Sequence, residues 1–269
     1  MDGNVLFAFG LTLFAGLSTG IGSAMAFFTK TTNTRFLSTA LGFSAGVMIY
    51  VSFTEILGKS LELLRGHYGQ TAGSWFAVLS FFGGILVIAI IDSLVPTFEN
   101  PHEIRRVEDI KLNTKHGRSR ILLRMGLLMA LAISMHNIPE GLATFAAGMA
   151  DPTIAVPIAF AIAIHNIPEG IAVSVPVYYA TGNKKRAFFL SFASGLAEPV
   201  GGLLGWIFLS AVFNESVIGV MFGGVAGIMI FISVDELLPT AREYGYHHLA
   251  IWGLIGGMAV MAVSLLLFL

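Results

Sequence analysis

Eight runs of about twenty or more predominantly apolar residues follow one another along the chain, each long enough to cross a hydrocarbon layer of about 30 Å. They lie at roughly 4–29, 36–57, 74–95, 122–148, 153–179, 187–213, 216–240 and 248–269. A backbone in lipid has no water to bond, so runs of this length are expected as helices rather than as open strands. The fold class expected is therefore an all-α integral membrane protein with eight transmembrane helices. Composition agrees: only 12% of the residues are charged, where a soluble domain carries about a quarter. The formal net charge of −1 gives no basic excess for nucleic acid. The absence of cysteine excludes disulfides, thiolate metal sites and cysteine catalysis.

The connections are short except for 96–121, which is polar and carries both signs of charge. With both termini outside, thirteen of the fifteen basic residues fall on the inner side: Lys30, Arg35, Arg105, Arg106, Lys111, Lys115, Arg118, Arg120, Arg124, Lys184, Lys185, Arg186 and Arg242. Only Lys59 and Arg65 fall outside. The positive-inside rule selects that orientation and makes 96–121 a cytoplasmic loop. Ala24-Met25-Ala26 has the look of a signal-peptidase site, but the preceding run is longer than a signal core and has no basic flank. It is expected to remain as the first span of a single transmembrane domain, 1–269.

Three self-similarities run through the sequence. AGVMIYVSFTEIL at 45–57 resembles AGIMIFISVDELL at 226–238; AGLSTGIG at 15–22 resembles SGLAEPVG at 194–201; and HNIPEG occurs at both 136–141 and 165–170. They link helix 2 to helix 7, helix 1 to helix 6 and helix 4 to helix 5. Each pair is separated by an odd number of crossings, so the partners run in opposite directions through the bilayer. The pattern predicts inverted-topology repeats, helices 1–3 against 6–8 and helix 4 against 5, as in secondary transporters whose site lies near the midplane.

The spans also hold ionisable residues: His136, Glu140, His165, Glu169, Glu198, Glu55, Asp92, Asp235 and Glu236, with Asn137 and Asn166 beside the histidines. A carboxylate at mid-membrane costs about 2.5–3.5 kcal/mol on insertion scales. No Lys or Arg lies at comparable depth, so a bound cation is the simplest counter-charge. Positions i and i+4 of a helix share a face. That sets His136 over Glu140 and His165 over Glu169, with Asn137 and Asn166 flanking. Pro139 and Pro168 deprive the carbonyls of Met135 and Ile164 of their helical donors, adding oxygen atoms to each polar stripe. Glu198, followed by Pro199, is also mid-helix. Imidazole, carboxylate and amide oxygen suit zinc and its first-row neighbours, and such a set has donors for two ions, with Glu140 and Glu169 able to bridge. The bland alternative is a polar network that only pins helix 4 to helix 5; repeated His and Glu without counter-ions argue against it.

At these residues, SMHNIPEG, IHNIPEG, SGLAEPVGG and SVDELLP, the chain resembles the ZIP (Zrt/Irt-like) metal transporters and, within them, the bacterial zinc-uptake branch. The resemblance implies eight helices, both termini outside, and uptake of Zn²⁺, and often Fe²⁺, Mn²⁺, Co²⁺ or Cd²⁺, through the cytoplasmic membrane into the cytosol. It implies one metal held by Asn137, Glu140, Asn166, Glu169 and Glu198, and another by His136, Glu140, His165 and Glu169. Met48 matches a position that supplies a soft ligand in some members, although a packing methionine serves that place equally well. The 96–121 loop carries only His102 and His116 rather than a histidine-rich stretch, which puts metal sensing by the loop in doubt.

From these positions Glu55 is expected near the outer mouth as an entry station, and Asp92, Asp235 and Glu236 near the inner mouth as an exit station. Divalent ions are the cargo, with no catalytic cofactor, and the chain is not expected to be an enzyme. A di-metal carboxylate enzyme would use Glu-x-x-His, whereas the order here is His-x-x-x-Glu; substrate turnover would reveal it. A metal-selective channel would show currents instead of saturable flux. Glycine-rich helices permit close packing within a subunit or across a homodimer, and composition does not choose between them.

Overall fold

A computed structural model describes residues 3–25, 34–94, 115–150, 152–209, 214–243 and 245–267. Among them every regular element is a helix. The helices are α1 (Gly3–Met25), α2 (Thr34–Val51), α3 (Leu57–Tyr68), α4 (Gln70–Leu94), α5 (Lys115–Ala150) and α6 (Pro152–Thr181). They continue with α7 (Lys184–Gly195), α8 (Ala197–Leu209), α9 (Glu215–Ile232), α10 (Leu238–Glu243) and α11 (His247–Leu267). A π-helical turn, Ser52–Ile56, joins α2 to α3 without a break, and a second, Ser233–Leu237, joins α9 to α10. With α7 and α8 forming another interrupted rod, the chain makes eight rods among the described residues.

Seven of the rods contain a stretch long and apolar enough to cross a bilayer: Asn4–Ala24, Arg35–Tyr68, Gln70–Ser93, Ala155–Val175, Lys184–Ile207, Glu215–Arg242 and His247–Leu266. The eighth, α5, contains the apolar run 122–148. Burial of the apolar window is 83% for α6 but 22% for α4 and α11, so α6 is the central helix and the other two are peripheral. On α4, Trp75, Leu79, Phe82, Leu86 and Ile90 form an exposed stripe at helical spacing. An apolar stripe of that length on the outside of a helix bundle is what a lipid-facing surface requires.

The rods fall into two groups by their contacts. Rods α1, α5, α6 and α7–α8 pack on one another, and α2–α3, α4, α9–α10 and α11 form the second set. Within the second set α2 packs on α11 and α9 on α4, and each π turn lies against the other's rod, Ser52–Ile56 against α9 and Ser233–Leu237 against α2. Contact between the sets runs largely through α2 on α6 and α9 on α5.

Glycine sets the closest of these approaches. Any side chain on Gly42 or Gly46 would overlap the carbonyl oxygen of Ala250 or Leu254, and on Gly84 or Gly227 that of Gly224 or Phe81. These helices touch backbone to backbone, as small residues allow in a membrane.

Two boundaries differ from the sequence reading. The second apolar run ends near 57, yet the helix continues to Tyr68. Leu63 and the buried Leu64 pack α3 against α9 at Gly219, and Ser60 donates to Gly219 O at 2.6 Å. Rod six is interrupted at Leu196, because Pro199 has no N–H to give to the carbonyl of Gly195. Pro199 instead occupies the first turn of α8, where a helix tolerates proline. Most of the 96–121 loop, with Lys30, Arg105, Arg106 and Lys111, lies outside the described residues; from Lys115 onward the loop's end is already α5.

Candidate metal centre

The two HNIPEG segments face each other across the α5–α6 contact. His136, Asn137, Glu140, His165, Asn166, Glu169 and Glu198 are all buried, none more than 1% exposed. The bonds between them cross from one motif to the other. His136 Nε2 lies 3.2 Å from Glu169 Oε1, and His165 Nε2 lies 3.3 Å from Glu140 Oε2. The i, i+4 pairs of the sequence reading share a face but are not the bonded pairs. Side chains on one helix project side by side, whereas the facing helix presents its carboxylate directly to the imidazole.

The asparagines anchor the centre to the flanking rods. Asn137 Nδ2 donates to Ser194 O at 3.0 Å, and Asn166 Nδ2 donates to Ala15 O at 2.9 Å. Asn166 Nδ2 also donates to the Glu198 carboxylate. Glu198 lies in the first turn of α8, where the helix dipole favours a negative charge. Gly141 and Gly170 bring the helices together at this level: a side chain on Gly141 would overlap Glu198 O, and one on Gly170 would overlap Thr19 O.

The bonds leave much of the donor set unused. His136 Nδ1, Asn137 Oδ1, Glu140 Oε1, His165 Nδ1, Asn166 Oδ1, Glu169 Oε2 and Glu198 Oε2 are buried and have no hydrogen-bond partner. Buried polar atoms are normally paired, and each orphan costs about 1–3 kcal/mol. Seven gather in one centre, and they are oxygen and imidazole nitrogen atoms of the kinds that coordinate first-row divalent ions. The structure does not arrange them as a finished coordination sphere. Among the described residues no three His, Asp or Glu side chains converge in a metal-holding group. Each carboxylate oxygen that faces an imidazole would have to exchange that contact for an ion.

The other sequence-selected residues lie on α2, α4 and the two π turns rather than on α5, α6 or α8. Met48 is fully buried on α2, one turn beyond Ser44, whose hydroxyl donates to His165 O at 3.4 Å; it therefore shares a face directed at α6. Glu55 is half-buried within the first π turn. Asp92 and Glu236 line one cleft with Ile88, Ile91, Met135, Phe231 and Ile232. Met135 is the neighbour of His136, and Glu236, itself only 2% exposed, lies within electrostatic reach of that histidine. Asp235 is exposed and is not among the residues lining the cleft.

Residues that the sequence reading passed over support the centre. Ser191 donates to Gly170 O at 2.7 Å and Ser23 Oγ lies 2.7 Å from Ser191 Oγ, tying α1, α6 and α7 together. Isolated serines in apolar helices carry no sequence signal of such a role. The π turns at Ser52 and Ser233 also leave no trace in hydropathy. Their common start, at matching positions of the two similar segments, becomes meaningful only beside the structure.

Residues 98–265 match the family model described as ZIP Zinc transporter. Over 268 residues, covering 100% of each chain, the sequence is 60% identical to the "Zinc transporter ZupT" of Streptococcus mutans. It is 58% identical to the protein of that name from Nitratidesulfovibrio vulgaris, covering 100% of this chain and 99% of the relative. The Clostridium perfringens protein of that name is also 58% identical, with 98% and 97% covered. A buried centre of crossed histidine–carboxylate pairs in a bundle of membrane-spanning rods, a family model covering more than half the chain and full-length relatives well above half identical place this chain in the ZIP zinc transporter family.

Proposed function

We propose that this protein takes up zinc, and also Fe²⁺, Mn²⁺, Co²⁺ and Cd²⁺, across the cytoplasmic membrane into the cytosol through the buried centre on α5, α6 and α8. The observation that carries the reading is the reciprocal His136–Glu169 and His165–Glu140 pairing, with further oxygen and nitrogen donors unused beside it. His136, Asn137, Glu140, His165, Asn166, Glu169 and Glu198 hold the ion or ions, and Met48 stands by as a soft donor. The ion enters past Glu55 and leaves by the cleft that Asp92 and Glu236 line; Asp235 attracts it at the inner surface. The relatives named above are called zinc transporters, which supports zinc as the principal cargo.

The chain is built as an inverted repeat with both termini outside, and 96–121 is its cytoplasmic loop. Three structural correspondences support the repeat. The π turns start 181 residues apart. The α1–α6 contact has its counterpart in α8–α5, and α2–α11 has its counterpart in α9–α4. Asn137 and Asn166 reach carbonyls at 194 and 15, which the repeat aligns. All seven central residues belong to the rod set α1, α5, α6 and α7–α8. Movement of that set against the other, around the ion, gives alternating access. The exposed apolar faces of the second set also suit a homodimer.

Uptake of radioactive zinc into proteoliposomes, for wild type, Glu140→Ala and His165→Ala with the other metals as competitors, tests the reading. Saturable uptake lost in both folded variants supports it. Uptake that survives both makes the HNIPEG segments structural and ends this account.

A further inference from the structure

Thr19 on α1 occupies the place in the first half of the chain that Glu198 occupies in the second. The segments AGLSTGIG and SGLAEPVG align Ala15 with Ser194 and Thr19 with Glu198, and the bonds of the centre follow that alignment. Asn166 donates to Ala15 O, four residues before Thr19, and Asn137 donates to Ser194 O, four residues before Glu198. Each asparagine thus holds the carbonyl one turn ahead of the matching residue. Asn166 also reaches the Glu198 carboxylate. In the other half, the side chain that the alignment sets opposite Asn137 is a threonine hydroxyl.

That hydroxyl is buried at 0% exposure and its Oγ1 has no hydrogen-bond partner. Buried threonines in helices usually donate to a carbonyl one turn back, as Thr12 does to Ala8 O at 2.9 Å and Thr144 to Glu140 O at 2.9 Å. Thr19 forgoes this bond. Its carbonyl is taken by Ser23 Oγ at 2.7 Å and lies against Gly170, next to Glu169. Its Oγ1 lies over Gly195, next to the Ser194 that anchors Asn137; an added carbon on Gly195 would stand 2.6 Å from that oxygen. The orphan hydroxyl therefore lies beside the segment that anchors Asn137, while the carbonyl of the same residue meets the segment that carries Glu169; the spare oxygens of those two side chains include Asn137 Oδ1 and Glu169 Oε2.

We propose that Thr19 is an eighth residue of the central site. Its Oγ1 gives a neutral oxygen to the ion, or to a water on the ion, on the Asn137 side; on the Asn166 side the second half of the repeat supplies the Glu198 carboxylate instead. The inference rests on the proposed transport site. One consequence is an asymmetric centre, with a charged oxygen on one side and a neutral one on the other, so that two ions held there are bound unequally. A second is selectivity: a hydroxyl oxygen is a hard donor, and it contributes more to Mn²⁺ than to Cd²⁺.

The test compares wild type, Thr19→Val, Thr19→Ser and Glu140→Ala in detergent and in proteoliposomes. Thr19→Val keeps the shape and removes the oxygen. Because it also removes an orphan buried hydroxyl, the metal-free variant melts at the same temperature as wild type or higher. Its KM for zinc rises about tenfold, comparable to losing one hydrogen-bond-sized contact, and the Mn²⁺-to-Cd²⁺ uptake ratio falls. Thr19→Ser restores both. A Thr19→Val variant that melts lower in the absence of metal while keeping the wild-type KM and ratio makes Thr19 a packing residue and overturns the inference. If Thr19→Val does not fold, Thr19→Ala is measured against Thr19→Ser for the same ratio, and equal ratios overturn it. Loss of uptake in Glu140→Ala beside an unaffected Thr19→Val defeats this inference alone; uptake retained in Glu140→Ala defeats the transport site itself.

Discussion

Gly141 packs directly onto the carbonyl oxygen of Glu198, so α5 and α8 meet backbone to backbone at the level of the crossed histidine–carboxylate pairs. Replacing Gly141 by Ala would ordinarily favour the helix by about 1 kcal/mol. Here the methyl would overlap a carbonyl that no side-chain rotation can move, and overpacking costs about 1–3 kcal/mol. Gly141→Ala is therefore expected to lower the melting temperature and to displace Glu198, cutting zinc affinity. Gly83→Ala on α4 is the control, since open space surrounds Gly83 while the adjacent Gly84 abuts Gly224 O. Thermal melting in detergent should show Gly83→Ala unchanged or stabilised and Gly84→Ala destabilised. Equal behaviour of Gly83→Ala and Gly84→Ala would refute the backbone contacts.

The crossed pairing makes a prediction that the sequence spacing alone would reverse. In double-mutant cycles on zinc affinity, His136→Ala with Glu169→Ala should show the larger coupling, of about 0.5–3 kcal/mol. His136→Ala with Glu140→Ala, neighbours on one helix, should couple less. The matching pair is His165 with Glu140. Stronger coupling along one helix than across the two would mean that the 3.2 and 3.3 Å contacts do not describe the working site.

That reversal shows where sequence reading stops. Hydropathy located the rods because lipid demands about twenty apolar residues in a row. The unpaired His and Glu stood out because buried charge is costly there. Both signals are one-dimensional. The partner of His136 is decided instead by how closely α5 and α6 approach, which depends on Gly141 and Gly170 meeting carbonyls of other rods. The break at Leu196 was written in Pro199, but a lone proline does not say whether its helix bends or restarts. The continuation of α3 to Tyr68 rests on tertiary contacts of Leu63 and Leu64, invisible to a hydropathy run that ends at Leu57.

The cleft beside Met135 separates two adjacent carboxylates that a sequence treats alike. Glu236 is buried in the cleft with Asp92, beside Met135, whereas Asp235 is exposed. Glu236→Gln should reduce the maximal rate of zinc uptake roughly tenfold, equivalent to about 1.4 kcal/mol in a release step, with a smaller change in KM. Asp235→Asn should leave the maximal rate within about twofold, as expected of an exposed side chain whose field is screened by salt. Initial rates over a range of external zinc decide. Equal loss in both variants would assign the effect to surface charge and remove the cleft from the path.

The chain contains no cysteine, so single cysteines report sidedness without prior engineering. His67 is exposed near the end of α3 and Lys185 is exposed at the start of α7. The positive-inside assignment puts His67 outside and Lys185 inside. In whole cells, His67→Cys should react with a membrane-impermeant maleimide, and Lys185→Cys only after the membrane is opened. The converse labelling would invert the protein. Glu236 and Asp92 would then line the entrance, Glu55 the exit, and the central pairs of His136 and His165 would serve export with their geometry unchanged.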